Sequence, residues 1–205
     1  MLNTTMITAP FIPPSAVAFD IDGVIADTMT LFLEIARQDY AIEGIRLSDI
    51  TSYDLAECLK IDTGILNEIS LKIIDGAYRT PLKTMPGAAS VLSMIAGCHS
   101  PVLFVTARPY PGPIIDWISE NIGLRPEQID MITTGSFEGK AETLLDRGVS
   151  YFVEDRLETC FHLSTVGVTP IVFQQPWNRR PHQFLEVNGW SALGGLIDTK
   201  SNGCA

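Results

Sequence analysis

The chain has 205 residues, 46% of them hydrophobic, which is enough for one well-buried domain with a modest appendage. Its formal net charge of −10 argues against a nucleic-acid polymer as partner, because such binding rests on Lys and Arg neutralising phosphates, although a local cluster of cations can still hold one small phosphate. No apolar run reaches the roughly 18 residues of a membrane helix, and the opening "MLNTTMITAPFIPPSA" lacks the basic region and unbroken apolar stretch of a signal peptide, so it reads as a short leader arm on a cytoplasmic protein with no membrane partner.

The first predicted element is "AVAFDIDGVIADT", residues 16–28, an apolar strand running into Asp20, Asp22 and Gly23. Carboxylates two positions apart on a strand share a face and repel each other unless positive charge lies between them. An EF-hand loop fails here, since it needs Gly at its sixth position and this Gly is at the fourth. The stretch alone leaves two readings open. One is an Asp-rich turn; the other is a nucleophilic Asp and its acid/base partner gathered around a divalent metal.

Two segments with apolar residues at three and four spacing follow, "LSDITSYDLAECLK" and "DTGILNEISLKIIDG", and both are predicted as helices. The helix pattern "PGAASVLSMIAG" then leads to an apolar strand at 101–105, which ends at Thr106 with Arg108 two residues on. A helix in "PIIDWISENIG", a strand at 130–134, a helix in "KAETLLDRG" and strands at 151–155 and 170–173 complete the series. Alternating strand and helix predicts an α/β fold, a doubly wound parallel sheet whose site lies beyond the carboxyl ends of its strands. Asp20, Thr106 and Asp155 fall at such ends.

Asp22 and Thr106 are separated by far more than the roughly 30 residues of a plain crossover, with about 50 to spare. The excess predicts a helical cap at residues 30–80, inserted after the first strand, with residues 1–29 and 81–205 forming the core. The stretch "GSFEGKAETLL" fails as a P-loop, because only three residues separate Gly135 from Gly139 and Ala141 stands where Ser or Thr belongs. Lys140 is then a cation at the start of a helix, and "YFVEDR" sets an acidic pair, Glu154 and Asp155, after another apolar strand. The four cysteines are scattered without zinc-like spacing and are expected as free thiols.

Taken in order, the D-x-D-G-V run from Asp20 to Val24, the strand-end Thr106, Lys140 and the Glu154–Asp155 pair resemble the motifs of the haloacid dehalogenase superfamily of Asp-nucleophile phosphotransferases. The resemblance implies that Asp20 takes up the phosphoryl group, while Asp22 protonates the leaving oxygen and later deprotonates water. It implies that Gly23, Thr106, Ala107, Arg108 and Lys140 surround the phosphate. Mg²⁺ would be held by Asp20, the Asp22 carbonyl and Asp155, with Glu154 further out. Physical chemistry makes such a set intelligible. Phosphate monoesters hydrolyse so slowly that enzymes supply up to ~10²¹-fold acceleration. A carboxylate cannot approach a dianionic phosphate without neutralisation, here by a metal and Lys140. Gly23 lets the backbone turn sharply and bring its amide towards the phosphoryl oxygens.

The stretches "VTARP", "VEDRLET" and "IVFQQPWNR" are similar, more narrowly, to bacterial relatives of the cytosolic 5′(3′)-deoxyribonucleotidases. This implies a nucleoside monophosphate as substrate, with a sugar or other metabolite phosphate as the alternative. A non-hydrolytic phosphotransferase, mutase or phosphate-binding module is a second alternative, and Asp22 speaks against the module, since a pure binder needs no acid/base partner. Read from its residues alone, "QPWNR" is a loop packing Trp177 against the sheet. In the cap, Phe32, Tyr40, Tyr53 and Tyr78 are candidates to stack on a base, or equally to pack the cap's own interior.

Overall fold

The computed structural model describes residues 11–199. Its strands are β1 (Val17–Phe19), β2 (Val102–Thr106), β3 (Ile129–Thr133), β4 (Tyr151–Glu154), β5 (Thr169–Phe173) and β6 (Leu185–Val187). They form one six-stranded parallel sheet in the order β3-β2-β1-β4-β5-β6. Successive residues bury on opposite faces, as a sheet covered on both sides requires. Phe19, Phe104 and Val153 join the larger cluster with Trp190, whereas Ala18, Val105 and Phe152 join Leu144 and Leu163 on the other side.

Helices alternate with the strands: α1 (Thr28–Tyr40), α2 (Leu55–Cys58), α3 (Thr63–Asp75), α4 (Ala88–Cys98), α5 (Gly112–Ile122), α6 (Gly139–Asp146), α7 (Leu157–Thr165) and α8 (Trp190–Gly194). The first three make the helical cap between β1 and α4. The sequence pattern did not single out α1, α7, α8 or β6. The last is only three residues long and carries Glu186 at its centre, so it shows no apolar run.

The helix expected across residues 47–60 is broken. A 3₁₀ turn spans Leu47–Asp49, and α2 is a single turn further on. Asp49 accepts from the Arg46 amide at 2.8 Å and Asp54 from the Ala56 amide at 3.0 Å. The Asp49 bond closes a 3₁₀ turn in place of a helical one, and the Asp54 bond caps a separate helix start at α2. The next helix does form, with Asp62 accepting from the Gly64 amide at 2.8 Å and Gly76 ending it in the left-handed region.

The cap has no interior separate from the core. Leu31, Phe32, Ile35, Leu66, Ile69 and Ile73 belong to the same buried cluster as Phe19, Phe104 and Trp117. Ile12 and Pro14 are likewise buried in the fold rather than part of a free arm. Ile12 is fully buried, donating to Leu196 O at 2.8 Å and accepting from the Asp198 amide at 2.8 Å; residues 1–10 lie outside the described residues. Cys58 and Cys160 are free thiols, Cys98 is disulfide-bonded against expectation, and Cys204 lies outside the described residues. Among the described residues no helix is long and apolar enough to cross a membrane.

Candidate active site

The carboxyl ends of β1, β2 and β4 meet in mid-sheet, and the residues just beyond them form the floor of a cavity of about 860 Å³. Asp20 leaves β1 with its amide on the Val153 carbonyl at 2.9 Å. The strand ends at Phe19, and the chain then turns tightly, with the Ile21 carbonyl accepting from the amides of Ile25 at 2.8 Å and Ala26 at 2.9 Å. The two aspartates are therefore not on one strand face as expected, and each meets its own cation.

Lys140, in the first turn of α6, is 1% exposed and lies 3.0 Å from Asp20 Oδ1 and 2.8 Å from Glu154 Oε2. Burial alone would lower the Lys140 pKa, but the charges of Asp20 and Glu154 outweigh it and hold the ammonium above its ordinary range. Arg108 takes Asp22 in a two-pronged pair, Nε to Oδ2 at 2.9 Å and Nη2 to Oδ1 at 2.8 Å, and its Nη1 reaches the Ile73 carbonyl of α3 at 3.5 Å. It thus ties the loop after β1 to the cap.

Asp20, Glu154 and Asp155 offer ligand atoms within 4.8 Å of one another, and all three are buried. Burial raises the pKa of Asp20 and of Asp155 well above the usual carboxylate range; Lys140 opposes this, while the neighbouring carboxylates add to it. Such a cluster is suited to a bound cation. Glu154 and Asp155 differ in what they have free. Glu154 Oε2 takes Lys140, and its Oε1 accepts from the amides of Asp155 and Arg156, both at 3.1 Å. Asp155 Oδ2 accepts from the Trp177 indole at 3.0 Å, but its buried Oδ1 has no partner. An unpartnered buried carboxylate oxygen is the position where a metal fits. The Asp22 carboxylate is outside this group, because Arg108 holds it.

Thr106 is 1% exposed and its Oγ1 accepts from the Arg108 amide at 3.3 Å, and Ala107 and Arg108 line the same cavity. Gly23 behaves otherwise than expected: its amide donates to the Ala26 carbonyl at 2.9 Å. What the site requires of it is the absence of a side chain. At φ +76°, a Cβ there would sit 2.0 Å from Asp155 Oδ2.

The roof comes from the cap, with Phe32, Ser52, Tyr53, Asn67 and Ser70 facing the floor. Tyr53 stands edge-on to Phe137 at 5.5 Å, and the Arg156 guanidinium lies 4.2 Å over Phe137 and 5.4 Å from Tyr53. Burial, reinforced by the charges of Asp155 and Asp20, holds the Tyr53 phenol well above its ordinary pKa. Of the four cap aromatics read from the sequence, Phe32 and Tyr53 line the cavity. Tyr40 instead bonds Glu68 at 2.9 Å on the outer surface, under Lys72.

Sequence reasoning missed Phe137 and Arg156, and it took Trp177 as part of the "QPWNR" resemblance or as sheet packing, not as a partner of Asp155. The turn Pro176–Asn178 follows β5, neighbour of β4, so its position at the rim was implied once the strand order was known.

The fold has many solved relatives. A Had-superfamily hydrolase from Ehrlichia chaffeensis superposes with a TM-score of 0.56 at 15% identity, over 91% of this chain and 97% of that one. CbbY from Rhodobacter sphaeroides, in complex with phosphate, gives 0.57 at 16%, over 90% and 99%. The HAD-hydrolase YfnB from Bacillus subtilis, bound to magnesium, gives 0.59 at 11%, over 92% and 99%. No curated protein matches the chain by sequence. Fold, cap and buried acid–lysine cluster define a hydrolase of the haloacid dehalogenase superfamily, a phosphatase acting on phosphoric monoesters with an Asp-based cluster. Within it, residues 14–201 match the family described as 5′ nucleotidase, deoxy (pyrimidine), cytosolic type C protein (NT5C), and the chain belongs to that family.

Proposed function

We propose that this protein is a Mg²⁺-dependent cytoplasmic 5′-nucleotidase that releases phosphate from nucleoside monophosphates through an aspartyl-phosphate on Asp20. The observation that carries the reading is a cavity whose floor holds Asp20, Lys140 and Asp155 and whose roof holds Phe32 and Tyr53. A phosphate group suits the first set, and a flat apolar base suits the second. The NT5C match supports the same substrate class.

In this reading Asp20 attacks phosphorus while Lys140, already 3.0 Å from it, offsets the negative charge that gathers between them. Thr106, Ala107 and Arg108 bound the phosphoryl group, and Gly23 keeps the space beside Asp155 clear. Arg108 turns from Asp22 to the phosphoryl oxygens when substrate arrives, which frees Asp22 to protonate the leaving ester oxygen and then to take a proton from the attacking water. Asp20, Asp155 and the Asp22 carbonyl would hold Mg²⁺, and the ion when bound supplies charge neutralisation at the phosphate. Glu154, with both oxygens engaged, orients Lys140 and the backbone of Asp155. Residues 30–80 act as the unit that selects the substrate.

The test is phosphate release from a panel of nucleoside 5′-monophosphates, sugar phosphates and a minimal aryl phosphate, with Mg²⁺ and with chelator. We expect kcat/KM to be highest for a nucleotide and activity to vanish without the ion. A sugar phosphate turned over faster than every nucleotide would overturn the substrate assignment.

A further inference from the structure

The metal-facing carboxylate is held by a segment far from it in the chain. After β5, residues 175–178 make a tight turn in which Asn178 Oδ1 accepts from the Gln175 amide at 2.9 Å. Every side-chain donor of this turn then bonds either the active-site loops or the end of β5. Trp177 Nε1 donates to Asp155 Oδ2 at 3.0 Å, and Asn178 Nδ2 donates to the Asp155 carbonyl and the Phe173 carbonyl, both at 2.8 Å. Gln175 Nε2 donates to the Gly23 carbonyl at 2.6 Å. All three residues are buried, Asn178 completely.

We infer that Gln175, Trp177 and Asn178 form a clamp that aims Asp155, with Trp177 deciding which carboxylate oxygen is offered to the metal. The inference rests on the metal reading of Asp155 given above. Its argument is one of hydrogen-bond supply. A carboxylate has two oxygens, and here one accepts from an indole N–H while the other is buried without a partner. A carboxylate free to rotate could present either oxygen or both. With Oδ2 oriented by Trp177 and lying close beside Gly23, where a Cβ would come within 2.0 Å, Oδ1 is the oxygen left without a protein partner. Asn178 fixes the backbone that carries the carboxylate, and Gln175 ties the turn to the loop that carries Asp20 and Asp22. Trp177 is a positioning residue in this account, acting on the metal through Asp155. Groups that orient metal ligands in this way typically change metal affinity or activity by roughly 10–100-fold when removed.

The experiment compares two buried tryptophans. Trp177→Phe deletes the N–H on Asp155 and keeps most of the apolar bulk. Trp117→Phe deletes another buried N–H, the one that reaches the Leu82 carbonyl at 3.0 Å, away from the loops that carry Asp20, Asp22 and Asp155. Mn²⁺ affinity is read by electron paramagnetic resonance of the free ion, and the Mg²⁺ dependence of turnover is read beside it. We expect Trp177→Phe to weaken Mn²⁺ binding by about ten-fold or more. Its kcat should return to near wild type at saturating Mg²⁺, and Trp117→Phe should bind Mn²⁺ as wild type does. Equal affinities for wild type and Trp177→Phe, or equal losses in both variants, would overturn the clamp. Should Trp177→Phe fail to fold, Trp177→3-benzothienylalanine, which exchanges the ring N–H for sulfur at constant shape, carries the same expectations. Asp155→Asn separates the two levels: if it binds Mn²⁺ as tightly as wild type, the metal reading itself falls and takes the clamp with it. If Asp155→Asn loses the ion and Trp177→Phe does not, only the clamp falls.

Discussion

The strand-end floor of the cavity and the outer surface of the helical cap carry charge in opposite ways. On the floor Asp20, Lys140 and Glu154 are at most 5% exposed, and Lys140 pairs with both carboxylates. On the cap, Arg37 and Glu34 pair at the surface with side chains 55% and 38% exposed, and Lys72 pairs with Asp39 at 32% and 25%. A buried charge is costly unless matched, so each residue type on the floor is dictated by its neighbours. Surface pairs contribute little and leave the sequence free to vary. The buried floor is therefore held to its residue types, whereas the outer face of the cap is not; in the proposed function this corresponds to a fixed reaction and a cap that selects the substrate.

The most severe way to break that contrast is Asp20→Asn. It should abolish turnover of nucleotide and minimal aryl phosphate alike while the fold persists, and a variant keeping a tenth of wild-type kcat would remove Asp20 as nucleophile. Next in size is the acidic pair. Asp155→Asn should weaken Mg²⁺ binding more than Glu154→Gln, because Asp155 has a free oxygen and both oxygens of Glu154 are taken; calorimetric titration of the two variants decides the order. Smaller and selective is Tyr53→Ala. It should lower kcat/KM for a nucleotide by about ten-fold and for an aryl phosphate by less than about two-fold, since only a substrate filling the roof draws on that contact. Equal losses would mean that Tyr53 only excludes water. The smallest effect is expected from Tyr40→Ala, which should leave both kcat/KM values unchanged, because Tyr40 faces Glu68 and Lys72 on the outside of the cap.

Much of the floor was legible in the sequence. Apolar runs ending in Asp20, Thr106 and Glu154–Asp155 marked strand ends, and a parallel sheet brings such ends to one edge. The free amide expected of Gly23 was not there, because the tight turn after β1 uses it on Ala26. The cap was harder to read. Its length showed from the chain count, but the Asp- and Ser-rich stretch around Ile50 gave a continuous helical spacing that the Asp49 turn interrupts and Asp54 restarts by capping α2.

By itself the sequence determined five of the six strands and that an insertion follows the first of them, while its resemblance to a known superfamily implied paired carboxylates with a lysine. These are short-range properties, written in the spacing of neighbouring residues. Only the tertiary structure decided that Asp22 belongs to Arg108 and through it to Ile73 of the cap, that Asp155 rather than Glu154 keeps a free oxygen, and that Trp177 holds the other. Each of these rests on residues between 20 and 90 positions apart, or on competition among several donors for one carboxylate. No local pattern encodes that competition, because it is settled only when the packed sheet fixes which groups are near enough to meet.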